Sequence, residues 1–300
     1  MLRFPNGWEV YFCRHGETNM NSSGKLQGKY SNPPLNEKGC KQADALGICL
    51  ANHFKSQGQA FVLVNGPLQR AHQTAWYVNR RCKPLCHWMS DLPMNEFNEI
   101  DFGNASEGMS RDDAIALVHP IWVAWSQGFV NAGEDGTTAE SLRIILQRFL
   151  SGLTRLYSLC DSGRLPGVVV THSGLLSIIM AAAQAHAQLH SHGPALSMYG
   201  NLHWLSTPQL WGLDKEKPHK INNCSISELV FRCNVDPTTH YIHFGLLNVP
   251  LDNFVKHLGE LAHAHTTHSV SNNAFQVHAN AARFMHGSAD HLRTRHAQYL

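Results

Sequence analysis

Two arginines and two histidines stand where they could handle a phosphate group. Arg14 and His15 directly follow one apolar run, and His172 ends another. Arg70 comes a few residues past a third apolar run. A guanidinium group binds phosphate oxygens in a fork geometry, and a neutral imidazole nitrogen can attack phosphorus. This combination of residues indicates phosphoryl-group chemistry with a histidine nucleophile.

The elements that would position these residues alternate along the chain between strands and helices. Short, mostly buried strands are predicted at 8–13, 61–64, 168–171 and 226–232. Such alternation is typical of a three-layer α/β/α sandwich with a mostly parallel, doubly wound sheet. In sheets of this kind ligands bind beyond the carboxyl ends of the strands. Both His15 and His172 fall at such ends.

Helix starts are predicted from capping residues. Asn36 is a suitable N-cap for one helix, and Gly66-Pro67 would open another with proline at its first position. Thr137-x-x-Glu140 has the pattern of a capping box in front of a long apolar helix face. These starts place a helix after the first strand and another after the second, with a third before the strand that ends at His172.

The domain organisation follows from where this pattern weakens. Residues 1–250 are predicted to form one domain, with an insertion around 185–220 where periodicity is lost. Beyond Pro250 the chain is rich in alanine and histidine and shows no clear apolar stripe. We therefore expect residues 251–300 to be a C-terminal extension.

Composition and charge exclude several classes of protein. The chain has 24 lysines and arginines against 22 acidic residues, which gives no basic stripe of the kind that nucleic acid demands. The first residues lack the apolar core of a signal peptide, and no run approaches the roughly 18 apolar residues of a membrane span. The eight cysteines are scattered and several lie within apolar runs. We expect a cytoplasmic protein with reduced thiols that contacts neither nucleic acid nor membrane and could form a homo-oligomer.

Other chemistries lack part of the residue pattern they need. No cysteine is followed six positions later by the arginine of a cysteine phosphatase, and no Gly-x-Ser-x-Gly segment occurs. Gly24-Lys25 continues with Leu26 and not with the Ser or Thr of a P-loop. Two clusters could bind a metal, His263-Ala264-His265-x-x-His268 and Cys82-x3-Cys86-His87. Because neither has the second half of a site, no metal is expected.

The blocks that carry the arginines and histidines resemble those of the histidine phosphatase superfamily, the phosphoglycerate mutase-like fold. The resemblance covers roughly residues 8–232. Its blocks are, in order, Arg14-His15-Gly16-Glu17-Thr18 with Asn21, Gln27-Gly28, Pro67-Leu68-x-Arg70, Phe97-Asn98-Glu99 through Glu107-Gly108, Glu140-Ser141, Thr171-His172-Ser173-Gly174 and Asn223-Cys224-Ser225-Ile226. Several blocks in one order are more specific than any single block.

The resemblance implies a role for each site residue. His15 would attack the substrate phosphoryl group and become phosphohistidine. Three residues would surround the phosphate and stabilise charge on its oxygens: Arg14, Arg70 and His172. The substrate-binding residues that the same blocks imply are Asn21, Gln27, Gly28 and Ser173. Since two guanidinium groups supply positive charge, neither a metal nor a cofactor is expected.

A carboxyl group must protonate the leaving oxygen and then activate water. The resemblance assigns this role to Glu99, on its spacing to Gly103 and to Glu107-Gly108. Three neighbouring carboxylates could carry the proton instead: Glu96, Asp101 and Glu107. One carboxyl can serve as acid and then as base, because a covalent intermediate divides hydrolysis into two displacements.

Three functions remain open at this point. The favoured one is a phosphomonoester hydrolase acting on a small phosphorylated substrate. The second is a phosphoglycerate mutase-type phosphoryl transfer, although Met109-Ser110-Arg111-Asp112 stands where mutases carry a Leu-Asn-Lys segment. The third is a non-catalytic binding module of the same fold, which would be expected to have lost a chemical residue. All the chemical residues are present.

Overall fold

A computed structural model describes residues 7–103, 106–133, 140–190 and 220–262, with the side chains of 187–190 and 262 left aside. Its strands are β1 (Trp8–Arg14), β2 (Phe61–Asn65), β3 (Cys86–Trp88), β4 (Gly167–Thr171), β5 (Ile226–Val235) and β6 (Ile242–Phe254). Its α-helices are α1 (Asn19–Ser22), α2 (Glu37–Gln57), α3 (Gln69–Cys82), α4 (Arg111–Ser126), α5 (Leu142–Leu159) and α6 (Ser173–His190). Two 3-10 segments span Asn95–Phe97 and Lys256–Ala262.

The strands form one open sheet in the order β3-β2-β4-β1-β5-β6. Strands β3, β2, β4 and β1 are parallel, whereas β5 runs antiparallel to β1, and β6 runs antiparallel to β5. The register pairs Arg14 at the end of β1 with Thr171 at the end of β4. The predicted α/β class with a mostly parallel sheet is confirmed, and the ends of two central strands lie side by side.

Helices cover both faces of the sheet because the residues of the central strands are apolar on both sides. On one face of β1, the ring of Tyr11 packs 5.4 Å from that of Phe54 in α2. On the other face, Phe12 lies 5.7 Å from Phe149 in α5. Strands β2 and β4 are buried along their whole length, which is why they lack a polar face in the sequence.

Two of the predicted helix starts need correction. Asn36 does cap α2, accepting a hydrogen bond from the Gly39 N–H at 2.7 Å. Helix α3, however, begins at Gln69, after the predicted Pro67. Helix α5 is capped by Ser141, so the predicted capping box with Glu140 is wrong.

The physical reason for the second correction is the partner of Glu140. Its carboxylate binds Arg148, with Oε1 2.6 Å from Nε, and therefore does not fold back onto a cap. The hydroxyl of Ser141 satisfies the N–H of Ile144 instead. The other half of the predicted box, Thr137, lies outside the described residues.

The boundary expected at residue 250 falls inside β6, which continues to Phe254. Leu251, Phe254 and Leu258 are buried, and the Gln42 side chain of α2 donates to the Leu261 carbonyl at 3.2 Å. The sequence pattern does not predict this strand, because polar and apolar residues do not alternate regularly along it. The chain therefore stays packed on the domain up to residue 262, and residues 263–300 lie outside the described part.

The insertion expected around 185–220 also differs in its start, because α6 continues to His190. Residues 191–219 are outside the described part of the chain. All eight cysteines are within it, and all are free thiols. Among the described helices, none is long and apolar enough to cross a membrane.

Candidate functional site

The carboxyl ends of β1, β2 and β4 are tied together by backbone hydrogen bonds. The His15 N–H donates to the Thr171 carbonyl at 3.0 Å, and the Gly66 N–H donates to the Val170 carbonyl at 2.9 Å. Because His172 follows Thr171 directly, this brings the two histidines together, with ring centroids 5.2 Å apart. The sheet itself therefore assembles the pair that the sequence pattern singled out.

The tautomer of His15 follows from its hydrogen bonds. Its Nδ1 lies 2.7 Å from the Gly16 carbonyl, which can only accept, so Nδ1 carries the proton. Its Nε2 is then the lone-pair nitrogen, and it accepts from Arg70 Nε at 3.2 Å. Burial, with the charges of Arg70 and Arg14, holds the pKa of His15 well below its usual range. The imidazole is therefore neutral at physiological pH and presents a nucleophilic nitrogen.

Arg70 is fixed at the start of α3 with its guanidinium fully buried. Its two terminal nitrogens donate to the Ser31 carbonyl at 2.6 Å and the Gly28 carbonyl at 3.1 Å. Burial lowers the pKa of Arg70 to about 10, so the group remains charged at neutral pH. The loop from Gly28 to Ser31 thus holds the Arg70 guanidinium next to His15.

Arg14 is held from the opposite side. One terminal nitrogen donates to the Ile221 carbonyl at 2.7 Å. Its Nε is buried and has no hydrogen-bond partner among the described residues. Burial, followed by the charge of Arg111, lowers the pKa of Arg14 to about 10. A buried guanidinium N–H without a partner is rare, and an oxyanion beside His15 would satisfy it.

His172, like Arg14, has buried nitrogen atoms without a hydrogen-bond partner. Both of its ring nitrogens are buried, and neither has a partner in the part of the chain that the structure describes. Burial is the main cause that lowers its pKa well below the usual value, so the ring is neutral. A Cβ at Gly66 would lie 3.1 Å from the Nε2 of His172 and 2.7 Å from the Phe97 carbonyl. Only glycine leaves the space between these groups open.

The carboxylate of Glu99 sits on the N-terminus of α6, directly behind His172. It accepts from the N–H groups of Ile100, Gly174 and Leu175 at 3.0, 3.2 and 3.1 Å. A Cβ on Gly174 would lie 2.5 Å from Glu99 Oε1, so a side chain there would displace the carboxyl. Burial raises the pKa of Glu99, although Arg70 and the three N–H groups oppose this. A carboxyl with a raised pKa is suited to exchange protons near neutral pH.

The three competing carboxylates have other partners. Glu96 pairs with Arg155 at 3.3 Å. Asp101 accepts from the Tyr30 hydroxyl at 2.8 Å, and Glu107 accepts from the Tyr30 N–H at 2.9 Å and from the Ser31 hydroxyl. Of the four candidates only Glu99 is buried. Glu99 is therefore the candidate that is both buried and bound to the start of the helix that follows His172.

The four substrate-binding residues that the resemblance implies differ in how they relate to the two histidines and Arg70. Asn21 Oδ1 accepts from Asn223 Nδ2 at 3.2 Å, and Gly28 holds Arg70 through its carbonyl. Gln27 accepts from the Thr18 hydroxyl, while its buried Nε2 has no partner in the described chain. Ser173 opens α6, and among the described residues its side chain makes no hydrogen bond to His15 or His172.

Two further residues support the site and were not singled out by sequence reasoning. Asn223 donates to the His15 carbonyl at 3.1 Å, which joins the segment before β5 to the end of β1. The sequence offered Glu107 only as an alternative proton donor. In the structure its carboxylate accepts hydrogen bonds from Tyr30 and Ser31, in the loop whose carbonyls bind Arg70. Both residues belong to blocks that the sequence analysis names, Asn223-Cys224-Ser225 and Glu107-Gly108. The residues within these blocks do not indicate which distant groups Asn223 and Glu107 contact.

The site has a closed part and an open part. His15 and Glu99 are 1% and 3% exposed, and Arg70 and His172 are fully buried; we call this group the phosphate pocket. Beside it lies a cavity of about 430 Å³ that Arg14 and Asn21 also line. Five basic side chains border this cationic cavity: Arg14, Lys25, Lys38, Arg111 and Lys220.

No group of three or more His, Cys, Asp or Glu side chains in the described ranges is arranged to hold a metal ion. Cys82, Cys86 and His87 lie in these ranges and form no such group. The triad His263, His265 and His268 falls outside the described residues. The charge around His15 comes from guanidinium groups.

Among curated relatives, the probable phosphoglycerate mutase GpmB of Proteus mirabilis is 26% identical over 207 residues, covering 66% of this chain and 88% of the relative. Phosphoglycerate mutase-like protein 4 of Arabidopsis thaliana is 25% identical over 209 residues, covering 68% and 84%. The aligned parts span most of each relative.

Solved structures share the fold at lower identity. A mycobacterial glucosyl-3-phosphoglycerate phosphatase, in a complex with VO₃, has a TM-score of 0.55 at 19% identity and covers 83% of this chain and 100% of its own. A protein described as mycobacterial hydrolase 2 has a TM-score of 0.57 at 19% identity, covering 87% and 100%. At this identity the likeness establishes the phosphoglycerate mutase-like fold.

The family follows from a match that includes most of the site. The model of the histidine phosphatase superfamily (branch 1) matches residues 10–206, which contain Arg14, His15, Arg70, Glu99 and His172. Phosphoryl transfer is the chemistry of that superfamily. Because the match covers more than half of the residues, this chain belongs to the histidine phosphatase superfamily.

Proposed function

We propose that the protein is a phosphomonoester hydrolase that works through a phosphohistidine on His15. One observation carries the proposal: the lone pair of His15 Nε2 accepts from Arg70 Nε, 5.2 Å separates the His15 ring from that of His172, and the buried Arg14 Nε and His172 ring nitrogens have no partner among the described residues. Such a cluster, closed to solvent, would be stabilised by the oxygens of a phosphoryl group.

In the first step the Nε2 of His15 attacks phosphorus and the bond from phosphorus to the ester oxygen breaks. Arg70 Nε–H, which now occupies the lone pair of His15, turns to a phosphate oxygen when substrate binds. The leaving oxygen takes the proton of the Glu99 carboxyl and departs as an alcohol. The proton stays on His15 Nδ1, which keeps donating to the Gly16 carbonyl, and this hydrogen bond stabilises the positive ring that forms.

In the second step the Glu99 carboxylate removes a proton from water as the water oxygen attacks phosphorus. The bond from phosphorus to Nε2 breaks, inorganic phosphate forms, and both His15 and Glu99 return to their first state. Arg14, Arg70 and His172 bind the equatorial oxygens in both steps, because the charge that develops there is the same.

Trapping the intermediate tests the proposal. Protein quenched in mid-turnover with a phosphomonoester should carry one acid-labile, base-stable phosphate on His15, located by peptide mass spectrometry. A panel of sugar phosphates, phosphoglycerates, nucleotides and phosphopeptides should release inorganic phosphate with at least one member. Phosphate release without a labelled histidine would overturn the covalent mechanism.

A mutase is the second candidate, and two observations favour it. The curated relatives at 25–26% identity carry phosphoglycerate mutase names. The phosphate pocket is also closed, as an enzyme must be if it keeps its phosphorylated intermediate from water. Following 3-phosphoglycerate by ³¹P NMR, with a bisphosphorylated primer present, separates the two: a hydrolase yields inorganic phosphate, whereas a mutase yields the 2-phosphate isomer.

A further inference from the structure

Helix α3 carries a threonine, one turn after Arg70, that contacts the loop of the nucleophile. Thr74 is fully buried, and its hydroxyl donates to the Arg70 carbonyl at 2.8 Å. The same oxygen accepts from the Gly16 N–H at 3.0 Å. Thr74 therefore joins the helix that carries Arg70 to the residue that follows His15, and the two reaction steps proposed above do not use it.

The direction of each hydrogen bond around Thr74 is fixed by the groups involved. A carbonyl oxygen can only accept and a main-chain N–H can only donate, so the hydroxyl points its hydrogen at Arg70 and a lone pair at Gly16. The Gly16 carbonyl accepts from His15 Nδ1 at 2.7 Å, and His15 Nε2 accepts from Arg70 Nε at 3.2 Å. These hydrogen bonds close a cycle in which each residue donates to the next: His15, Gly16, Thr74, Arg70 and back to His15.

Both peptide groups that flank Gly16 are bound at each end. In the first, the Asn223 amide donates to the carbonyl at 3.1 Å, and the threonine hydroxyl accepts from the N–H. In the second, the carbonyl accepts from the imidazole of His15, and the Glu17 N–H donates to Gln42 at 2.9 Å. The Gly16 carbonyl therefore cannot turn away from the imidazole unless one of these contacts breaks.

The cycle determines which tautomer His15 adopts. A neutral imidazole can carry its proton on either nitrogen, and only a lone pair on Nε2 lets that atom attack phosphorus. The Gly16 carbonyl selects this form because it binds a proton on Nδ1. When substrate binds, Arg70 Nε turns to a phosphate oxygen and one bond of the cycle opens. The contact with Thr74 then keeps the carbonyl against Nδ1 while the imidazole becomes positive.

We propose that Thr74 is a positioning residue that holds His15 in its reactive tautomer through the main chain of Gly16. The inference rests on the proposed function, because it assumes that His15 attacks phosphorus. A hydroxyl that donates to the carbonyl one turn back is common in helices, and Thr154 in α5 does so at 3.0 Å. Thr74 differs in its second bond, which it accepts from the loop of the nucleophile.

Two substitutions separate the hydroxyl of Thr74 from its methyl group. Thr74→Val keeps the shape and removes the hydroxyl, whereas Thr74→Ser keeps the hydroxyl. With the best substrate of the phosphomonoester panel, Thr74→Val should lower kcat about tenfold or more, because a small displacement of a reacting atom slows a reaction strongly. Its KM should change less than about threefold, because the guanidinium groups still bind phosphate. Thr74→Ser should stay within about threefold of the wild type in both constants, because its hydroxyl can make the same two bonds.

Nuclear magnetic resonance of protein labelled with ¹⁵N-histidine reads the tautomer without substrate. The resonances that disappear in His15→Ala identify the residue. The wild type at neutral pH should carry a proton on His15 Nδ1 and none on Nε2. In Thr74→Val this proton should exchange faster with water and the form protonated on Nε2 should appear, whereas Thr74→Ser should have the wild-type spectrum. A loss of packing alone would not move the proton from one nitrogen to the other.

Thr154→Val is the matched control, because it removes the same bond to a carbonyl one turn back at an exposed position of α5. It should change neither the rate constants nor the His15 spectrum. Equal losses in Thr74→Ser and Thr74→Val would overturn the proposal, since the hydroxyl would then not be the group that matters. A wild-type proton on Nε2 would overturn it as well. If Thr74→Val does not fold, Thr74→Cys takes its place with the same expected losses, because a thiol makes only weak hydrogen bonds.

The spectra and the rates together separate this role from the reaction. If the wild type releases phosphate from no member of the panel, yet the Thr74 variants differ in the His15 spectrum as stated, the positioning role stands and the hydrolase fails. Normal hydrolysis and an unchanged spectrum in folded Thr74→Val would overturn the positioning role and leave the hydrolase intact.

Discussion

The phosphate pocket is closed and the cationic cavity beside it is open, although Arg14 lines both. In the pocket the charged groups are buried and held by main-chain groups: Arg70 by two carbonyls, Glu99 by three N–H groups. In the cavity the side chains of Lys25, Arg111 and Lys220 are exposed.

This difference predicts that substitutions in the two regions have unequal effects. Charges that are buried and held by the main chain interact strongly and lose little energy to reorganisation during a reaction. Exposed charges are screened by water and salt, and each contributes modestly. We therefore expect substitutions in the pocket to lower turnover by orders of magnitude, and substitutions of the exposed cavity side chains to have much smaller effects.

The largest effect should come from His15→Ala. Removing a covalent nucleophile commonly lowers kcat by about 10³-fold or more. Phosphate release under saturating substrate measures the loss, and circular dichroism confirms that the variant is folded. If the variant keeps more than about one per cent of the wild-type rate, His15 is not the nucleophile.

Glu99→Gln should have the next largest effect, a fall in kcat of about 10²-fold, because proton transfer to the leaving oxygen is lost. Burial raises the pKa of Glu99, and the acid form is the active one in the first step. Wild-type activity should therefore fall as pH rises through that pKa, and the variant should lose this alkaline limb.

The chemistry of the leaving group offers a sharper readout for Glu99. p-Nitrophenolate needs no proton to depart, so p-nitrophenyl phosphate should be much less affected by Glu99→Gln than an alkyl phosphate. Glu96→Gln is the matched control, because Glu96 pairs with Arg155 away from the histidines. A larger loss in Glu96→Gln than in Glu99→Gln would reassign the proton donor.

Glu107→Gln should have an intermediate effect, since Glu107 acts on the pocket through the loop. Its carboxylate accepts from Tyr30 and Ser31, and the Ser31 carbonyl holds Arg70. We expect KM to rise about tenfold with a smaller change in kcat, as when a charge-assisted contact that positions another group is weakened. Glu37→Gln, an exposed carboxylate paired with Lys41, should leave both constants unchanged. A pH profile shifted in Glu107→Gln would indicate a direct proton-transfer role instead.

The smallest effect should follow exhaustive chelation. Because Arg14, Arg70 and His172 provide the donors for phosphate, we expect activity to stay within about twofold after dialysis against EDTA and a transition-metal chelator. Inductively coupled plasma mass spectrometry of the dialysed protein verifies that metal is gone. Strict dependence on added magnesium or zinc would contradict the mechanism.

Local sequence patterns predicted the centre of this molecule well. Strands β1, β2 and β4 are short apolar runs buried on both faces, and such runs are visible without knowledge of their partners. Because parallel strands end at one edge, the proximity of His15 and His172 followed from the strands alone. Arg70 was expected there because it comes a few residues past the second strand.

The rest depends on contacts between distant segments. The backbone hydrogen bonds between 24–26 and 108–111, the Glu107 contacts and the Asn223 contact are hydrogen bonds of loops, which leave no periodicity in the sequence. Strand β6 is partly exposed and polar, so its alternation is weak. The start of α5 was misplaced because Glu140 finds Arg148 two turns along the helix.

The position of β1 in the sheet has a consequence for how the chain folds. This strand is synthesised before the rest of the sheet, and its neighbours β4 and β5 begin only at Gly167 and Ile226. Contacts between residues so far apart in sequence close large loops and form slowly. In a nascent chain the apolar strand β1 therefore stays unpaired until β4 and β5 have been synthesised. During this time chaperone binding and aggregation compete with its correct pairing. The Arg14–His15 pair at its end can acquire its reactive geometry only when β5 has been added. A nascent chain that ends before β5 is therefore not expected to hydrolyse a phosphomonoester.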